Sequence, residues 1–206
     1  MSEIATMPAD DVPDLQPIVQ RKLGRCLLRL QQYERQLKAI VAHGELSGPV
    51  DRLPIIREQK ITCAQNKTMG TLMRMLTENL LTPPSPNEES PTEADAGGQI
   101  WFSYRYLLEM PAERYEATKV ALKELVELRN ELVHHFLERF DLWSETGCQA
   151  GDGFLEERYE TINRHYLNLQ GWAKGMDEAR AKMASAIQSQ AFGDLIDGIL
   201  VDGSGN

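Results

Sequence analysis

The sequence predicts an all-α fold, a helical bundle of about four long helices with one short strand. Three observations lead to this prediction. Apolar residues recur at helical spacing over long stretches, segments rich in glycine and proline separate those stretches, and nothing repeats internally. A chain of 206 residues suits one domain. No apolar run approaches the length of about 18 residues that a membrane-spanning helix needs.

The first helix is predicted from Pro17 to His43, and the second from Ile55 to about Leu81. Apolar residues recur at three-, four- and seven-residue steps in both, mainly leucine in the first and leucine and methionine in the second. The intervening GELSGPVDRLP, residues 44–54, has the glycines and prolines of a break. Residues 1–15 are predicted to be a flexible arm.

Residues 82–99, TPPSPNEESPTEADAGGQ, contain four prolines and a run of acidic residues, so we predict a disordered acidic insertion. The alternation of Phe102, Tyr104 and Tyr106 then favours a short strand. A central helix is predicted from Pro111 to about Trp143. Residues 147–153 read as a break before a last helix over 154–190. Residues 16–190 thus form a single domain, with 191–206 as a C-terminal tail.

Charge is distributed unevenly, although the formal net charge is −9. Residues 20–75 carry 11 lysines and arginines against 4 acidic residues, whereas residues 76–206 carry 11 against 23. Two interpretations remain open: the basic segment binds phosphate groups, or it pairs with the acidic remainder inside one fold. The N-terminus lacks a secretory signal, and Cys26, Cys63 and Cys148 form no CxxC pair. We therefore expect a reduced cytoplasmic protein without membrane association, metal or cofactor.

The segment LRNELVHHF, residues 128–136, contains the candidate functional residues. On a helical wheel Leu122, Leu125, Val126, Leu132, Val133, Phe136 and Phe140 fall within about 60 degrees of Arg129. Arg129 is thus predicted at the middle of an apolar stripe, where it needs either a buried ion pair or a wet cleft. His134 lies about 140 degrees round from it. The two converge if the backbone turns locally, or if a second copy packs alongside in a homodimer.

Arg129, Asn130 and His134 together suit RNA cleavage without a metal ion. A histidine can take the proton of a 2′-hydroxyl that attacks the adjacent phosphate, while an arginine stabilises the developing negative charge. Asn130 can position either partner. A looser match, RYETINRH over residues 158–165, lacks a polar residue after its arginine and is predicted to be a surface helix.

Residues 129–134, RNELVH, resemble the R-N-x-x-x-H signature of the HEPN family, helical-bundle proteins found among toxin and phage-defence ribonucleases. The resemblance implies a HEPN-like bundle over about residues 17–190. It also implies a metal-independent ribonuclease site at a dimer interface, with Arg129, Asn130 and His134 as its catalytic residues. RNA, a second copy and an antitoxin or other regulatory protein are the implied partners. The alternative is a non-catalytic HEPN-like interaction or RNA-binding module in a larger assembly.

Three further residues qualify this resemblance. Toxins paired with a nucleotidyltransferase antitoxin commonly carry a tyrosine, the modified residue, two positions after the histidine. Phe136 stands there, so silencing by nucleotide transfer is not expected. His135 and Glu131 are auxiliary candidates. His135 either supports His134 or lies at the helix edge, and Glu131 either orients the imidazole or belongs to a solvated helix face.

Overall fold

A computed structural model describes residues 12–83 and 100–194 and shows an all-α fold, as predicted. Its helices are α1 (Val12–His43), α2 (Leu53–Gln65), α3 (Met69–Asn79), α4 (Ala112–Asn130), α5 (Phe136–Arg139) and α6 (Glu145–Ile187). A π-helical turn, Glu131–His135, joins α4 to α5, and a 3-10 turn, Val50–Arg52, precedes α2. The strands are β1 (Glu45–Pro49), β2 (Leu81–Thr82), β3 (Trp101–Arg105) and β4 (Leu108–Glu109). In the described ranges no helix is both long and apolar enough to cross a membrane.

The two longest helices, α1 and α6, pack side by side along a seam of buried residues that recur in heptads. On α1 the buried residues are Val19, Cys26, Leu30, Tyr33, Leu37 and Ile40. On α6 the fully buried residues Leu155, Ile162 and Leu169 lie seven apart, and Met176 continues the series. Such spacing keeps one stripe of each helix facing the other over many turns.

Polar contacts fix the direction and register of this pair. Near the start of both helices, Lys22 forms ion pairs with Asp152 at 2.8 Å and Glu156 at 2.9 Å. Further along, Arg29 donates to the hydroxyl of Tyr159 at 3.2 Å. Residue numbers increase together on both helices, so α1 and α6 run parallel.

The segment RYETINRH belongs to this seam, so its prediction as a surface helix is wrong. Leu155 and Ile162 occupy the first of the two inward-facing positions in successive heptads. Arg158 and His165 follow three residues later, at the second inward-facing position, and both side chains are partly buried. Arg158 stacks over the ring of Phe154, with its guanidinium carbon 4.9 Å from the ring centroid. The apolar pattern of the sequence did not identify this second row because its residues are polar.

The predicted strand is confirmed as β3, and its antiparallel partner is β1, which the sequence did not predict. The register pairs Glu45 with Arg105 and Pro49 with Trp101. Strand β1 lies inside the segment predicted as a break. That prediction rested on residues such as Gly48 and Pro49, which are typical of turns. Gly48 has a φ of 157°, a backbone conformation that residues with a side chain rarely adopt, and a Cβ atom there would also displace the end of the Ile56 side chain, so this position favours glycine.

Several predicted helix limits differ from the structure, two of them substantially. The helix predicted over 55–81 is two helices, because Thr68 caps a new one by accepting from the Thr71 amide at 3.3 Å. The last helix begins at Glu145 rather than Phe154, so the predicted break at 147–153 is wrong. Ser144 caps it, and a Cβ on Gly147 would collide with the carbonyl group of Asp141, so glycine is needed at that position. Gly147 is therefore a packing position, and the segment does not break the helix.

Parts of three predictions lie outside the described residues. These are the arm before residue 12, most of the acidic insertion (84–99) and the tail from residue 195. The arm was predicted to extend to residue 15, but α1 already begins at Val12.

Stability should fall as the pH drops below about 6.5, because burial holds the pKa of His165 and of His43 below the ordinary histidine value. Both side chains stay neutral in the folded chain at pH values at which the unfolded chain binds protons. Urea unfolding should give a lower free energy of unfolding at about pH 5.5 than at about pH 8. His165→Gln should reduce that difference. An unchanged difference would contradict the assignment to His165.

Candidate functional site

The π-helical turn Glu131–His135 brings Arg129 and His134 together on one chain. In an α-helix, residues five apart point about 140 degrees away from each other. A π turn, with its i→i+5 hydrogen bonds, places them on nearly the same side. Arg129 Nη1 lies 3.5 Å from His134 Nε2 and donates to Asn130 Oδ1 at 3.1 Å. Local backbone turning, the first of the two predicted routes, therefore gives the convergence.

Buried apolar side chains hold the π turn from below. Leu132 and Phe136 are 3% and 2% exposed, and they point into the core on either side of the turn. The Phe136 ring lies 5.0 Å from the Phe140 ring, which lies 5.1 Å from the ring of Phe154 on α6. Since the core fixes these residues, the intervening His134 is directed outward and is exposed.

The helical wheel predicted Arg129 at the middle of the apolar stripe. In the structure it lies at the edge of the buried stripe. The core takes the residues on one side of it, which are Leu122, Leu125, Leu128, Leu132 and Phe136. On its other side, Val133 is 45% exposed and Leu137 is 72% exposed. Arg129 is itself partly buried, and no carboxylate forms an ion pair with it in the described part of the chain. Of the two predicted environments, the wet cleft is therefore the one observed.

That cleft has a volume of about 470 Å³ and separates the start of the π turn from the connector between α2 and α3. Arg129, Asn130 and Val126 form one wall. The connector residues Gln65 to Gly70, including Lys67, form the other, and Glu34 of α1 also lines the space. The volume falls in the range of small-molecule sites in proteins. Its size therefore suits a small ligand beside Arg129.

The two auxiliary candidates have partners other than His134. Glu131 forms an ion pair with Arg139. His135 Nδ1 lies 2.9 Å from Glu138 Oε2, and its ring is 6.2 Å from the ring of His134 in an edge-on arrangement. Neither residue orients the His134 imidazole here; both belong to the outer surface of the helix.

The connector between α2 and α3 is the part of the site that sequence reasoning missed. Asn66, Lys67 and Thr68 were assigned to the interior of one long helix, where their side chains had no common direction. The only signal was the polar sequence QNKT, residues 65–68, within an otherwise apolar-periodic stretch.

The basic segment 20–75 is largely free of carboxylate partners. Of its 11 lysines and arginines, Lys22, Lys38 and Lys60 form ion pairs within the described ranges, and only Lys22 reaches the acidic remainder. Arg25 and Arg29 instead stack on Tyr159 and Tyr166 of α6. Charge neutralisation within the fold therefore explains few of these residues.

The contact between Arg129 and His134 defines what each can do. A guanidinium has donors only, so His134 Nε2 must act as the acceptor, which leaves the imidazole proton on Nδ1. Once the guanidinium turns to another acceptor, the Nε2 lone pair of the neutral imidazole is released and can accept the proton of a hydroxyl group. The adjacent guanidinium carries a permanent charge that suits a phosphate oxygen.

Alanine at Arg129, Asn130 or His134 should leave the fold intact, because Asn130 and His134 are exposed and, within the described ranges, the partly buried Arg129 contacts only these two polar side chains. Each change should lower the free energy of unfolding by less than about 1 kcal/mol. Leu132 belongs to the same turn but is buried, so Leu132→Ala should lower the free energy of unfolding by about 2–5 kcal/mol. Urea denaturation of the four variants checks this. A large loss on Arg129→Ala would instead indicate a structural arginine.

No protein-family model, no curated protein and no solved structure matches this chain.

Proposed function

We propose that the chain is a metal-independent endoribonuclease of HEPN type that cleaves RNA through attack by the 2′-hydroxyl. The observation that carries the proposal is the contact of 3.5 Å between Arg129 and His134, in which a fixed cation lies beside a proton acceptor. No carboxylate in the described ranges neutralises Arg129, so its charge is available to a phosphate.

In the proposed reaction His134 Nε2 accepts the proton of the 2′-hydroxyl while the 2′-oxygen attacks the adjacent phosphorus. Arg129 donates to the non-bridging oxygens, whose negative charge increases in the transition state. Asn130 fixes the direction of the guanidinium. The bond from phosphorus to the 5′-oxygen breaks, and that oxygen takes up a proton. The products are a 2′,3′-cyclic phosphate and a 5′-hydroxyl end.

The cleft beside Arg129 supports RNA as the substrate. Lys67 and Asn66 on its far wall offer one cation and one amide to a nucleotide next to the scissile phosphate. The unpaired cations of residues 20–75 supply further phosphate contacts along the strand.

We also propose that the active form is a homodimer. Val133 and Leu137 are exposed apolar residues on the side of the helix next to His134, and a second copy packed there would bring two histidines to one RNA. The second histidine would then protonate the leaving 5′-oxygen.

The resemblance in residues 129–134 suggests a setting in cytoplasmic toxin–antitoxin control or phage defence, with an antitoxin or other regulatory protein as partner. Phe136 has no hydroxyl and is buried beneath the turn, so the regulator would act by a route other than modification at this position.

Wild-type protein should cut total bacterial RNA into defined fragments in the presence of EDTA, because neither Arg129 nor His134 depends on a metal. His134→Ala and Arg129→Ala should each lower the cleavage rate by at least about 100-fold. Electrophoresis with end analysis for 2′,3′-cyclic phosphate measures the products.

His135→Ala is the matched control, since it removes a neighbouring exposed imidazole that bonds to Glu138. This variant should retain most of the activity. If both histidine variants lost activity equally, the assigned roles would be wrong. Intact RNA that is nevertheless bound, with steep salt dependence, would favour the RNA-binding alternative.

Lys67→Gln should raise the KM for RNA several-fold with a smaller effect on kcat, because Lys67 lies across the cleft from Arg129 and not against His134. Arg114→Gln, which removes an exposed cation of α4, provides the charge-matched control. Steady-state kinetics on a short RNA distinguish the two effects. A purely kcat-directed loss would place Lys67 at the reacting phosphate instead.

A further inference from the structure

A second group of polar side chains lies where α1 ends, away from the residues proposed to cleave RNA. His43 at the end of α1, Arg57 of α2, Tyr104 of β3 and Arg180 of α6 line a cavity of about 190 Å³. Four elements distant in sequence therefore direct two guanidinium groups, an imidazole and a phenol to one small space.

Positive charge exceeds negative charge around this cavity. Arg57 forms no ion pair within the described ranges, and Arg180 has one partner, the exposed Asp177 at 3.6 Å. The only carboxylate in the lining is Glu45, which is engaged by Lys60 at 2.7 Å and by Arg105 at 3.5 Å. Glu45 is thus already neutralised from outside, and the cations facing the cavity are not.

The Tyr104 hydroxyl is a buried oxygen without a hydrogen-bond partner. A buried polar group in this state costs free energy relative to a satisfied one. The imidazole of His43 lies in an environment with more positive than negative charge. Its burial lowers its pKa, and the nearby Arg180 and Arg57 lower it further, while Asp177 opposes them. A ligand that accepts hydrogen bonds and carries negative charge would satisfy all four side chains together.

We propose that this cavity binds a phosphate group, in an anion site separate from the RNA-cleaving residues. A tetrahedral oxyanion has acceptors in several directions, as guanidinium, phenol and imidazole donors from four sides require. At about 30 Å³ for each water molecule, a space of about 190 Å³ holds such an ion with a few waters. It is below the range of drug-sized ligands, so a whole nucleotide would leave its sugar and base outside.

Titration of the full chain with inorganic phosphate, followed by calorimetry and by the NMR signals of His43, tests this proposal. Sodium chloride at matched ionic strength is the reference. Phosphate should bind saturably and shift the His43 signals. The His43 signals should titrate at a higher pH with phosphate bound than without it, because the anion favours the imidazolium against the repulsion of Arg57 and Arg180.

Two variants and one control localise the binding. Arg57→Gln with Arg180→Gln should weaken phosphate binding at least about tenfold, and Tyr104→Phe should weaken it less. Arg114→Gln should bind as wild type does. Circular dichroism establishes that each variant is folded. Equal binding by wild type and the double variant, or a response no larger than that to chloride, would overturn the proposal.

A 5′-phosphorylated dinucleotide and its 5′-hydroxyl counterpart distinguish the sources of the phosphate. Tighter binding of the phosphorylated form than of inorganic phosphate, lost in the double variant, would identify the site as a receptor for an RNA end. Binding of inorganic phosphate alone would identify a free ion as the ligand. The His134→Ala variant should bind phosphate as wild type does in the same titration. Failure of the ribonuclease proposal therefore does not affect the test.

Discussion

The parallel packing of α1 on α6 is the constraint on which the rest of the structure depends. Its buried heptads hold two helices of 32 and 43 residues in one register. The helices α2 and α3, strand β1 and the π turn pack against α1, and α4 packs in turn against α3. At one end of the seam, Phe154 supports the aromatic contacts beneath the π turn. At the other, His43 and Arg180 meet beside the β1–β3 ribbon. Both proposed sites therefore depend on one long packing interface for their geometry.

The sequence was sufficient for the parts of the fold that are periodic. The spacing of leucines in α1 and the alternating aromatics of β3 identified both elements. The sequence was insufficient where one residue type occurs in two structural roles. Gly147 and Gly151 suggested a break, yet both lie inside α6, and Gly147 allows the helix to start close to the Asp141 backbone. Arg158 and His165 suggested a surface, yet they alternate with the apolar residues of the seam.

Residue types and spacing identified Arg129, Asn130 and His134 as candidates, and the structure brings the three together. How they meet was not predictable from a wheel, because a wheel assumes one angle per residue throughout. The π turn changes that angle locally. The connector between α2 and α3, which contains Lys67, was missed because it belongs to the site only by facing α4 across the cleft. Which helix a segment faces is decided by tertiary packing.

The π turn has a consequence for what counts as the same motif. It inserts one extra residue into a helical turn, so five steps of chain between Arg129 and His134 bring about the meeting that four steps would give in a regular α-helix. A homologous chain that lost this residue, and with it the bulge, would keep the guanidinium and the imidazole adjacent while failing a search for fixed spacing. Evolutionary comparison at this site should therefore align three-dimensional positions and treat the interval as variable.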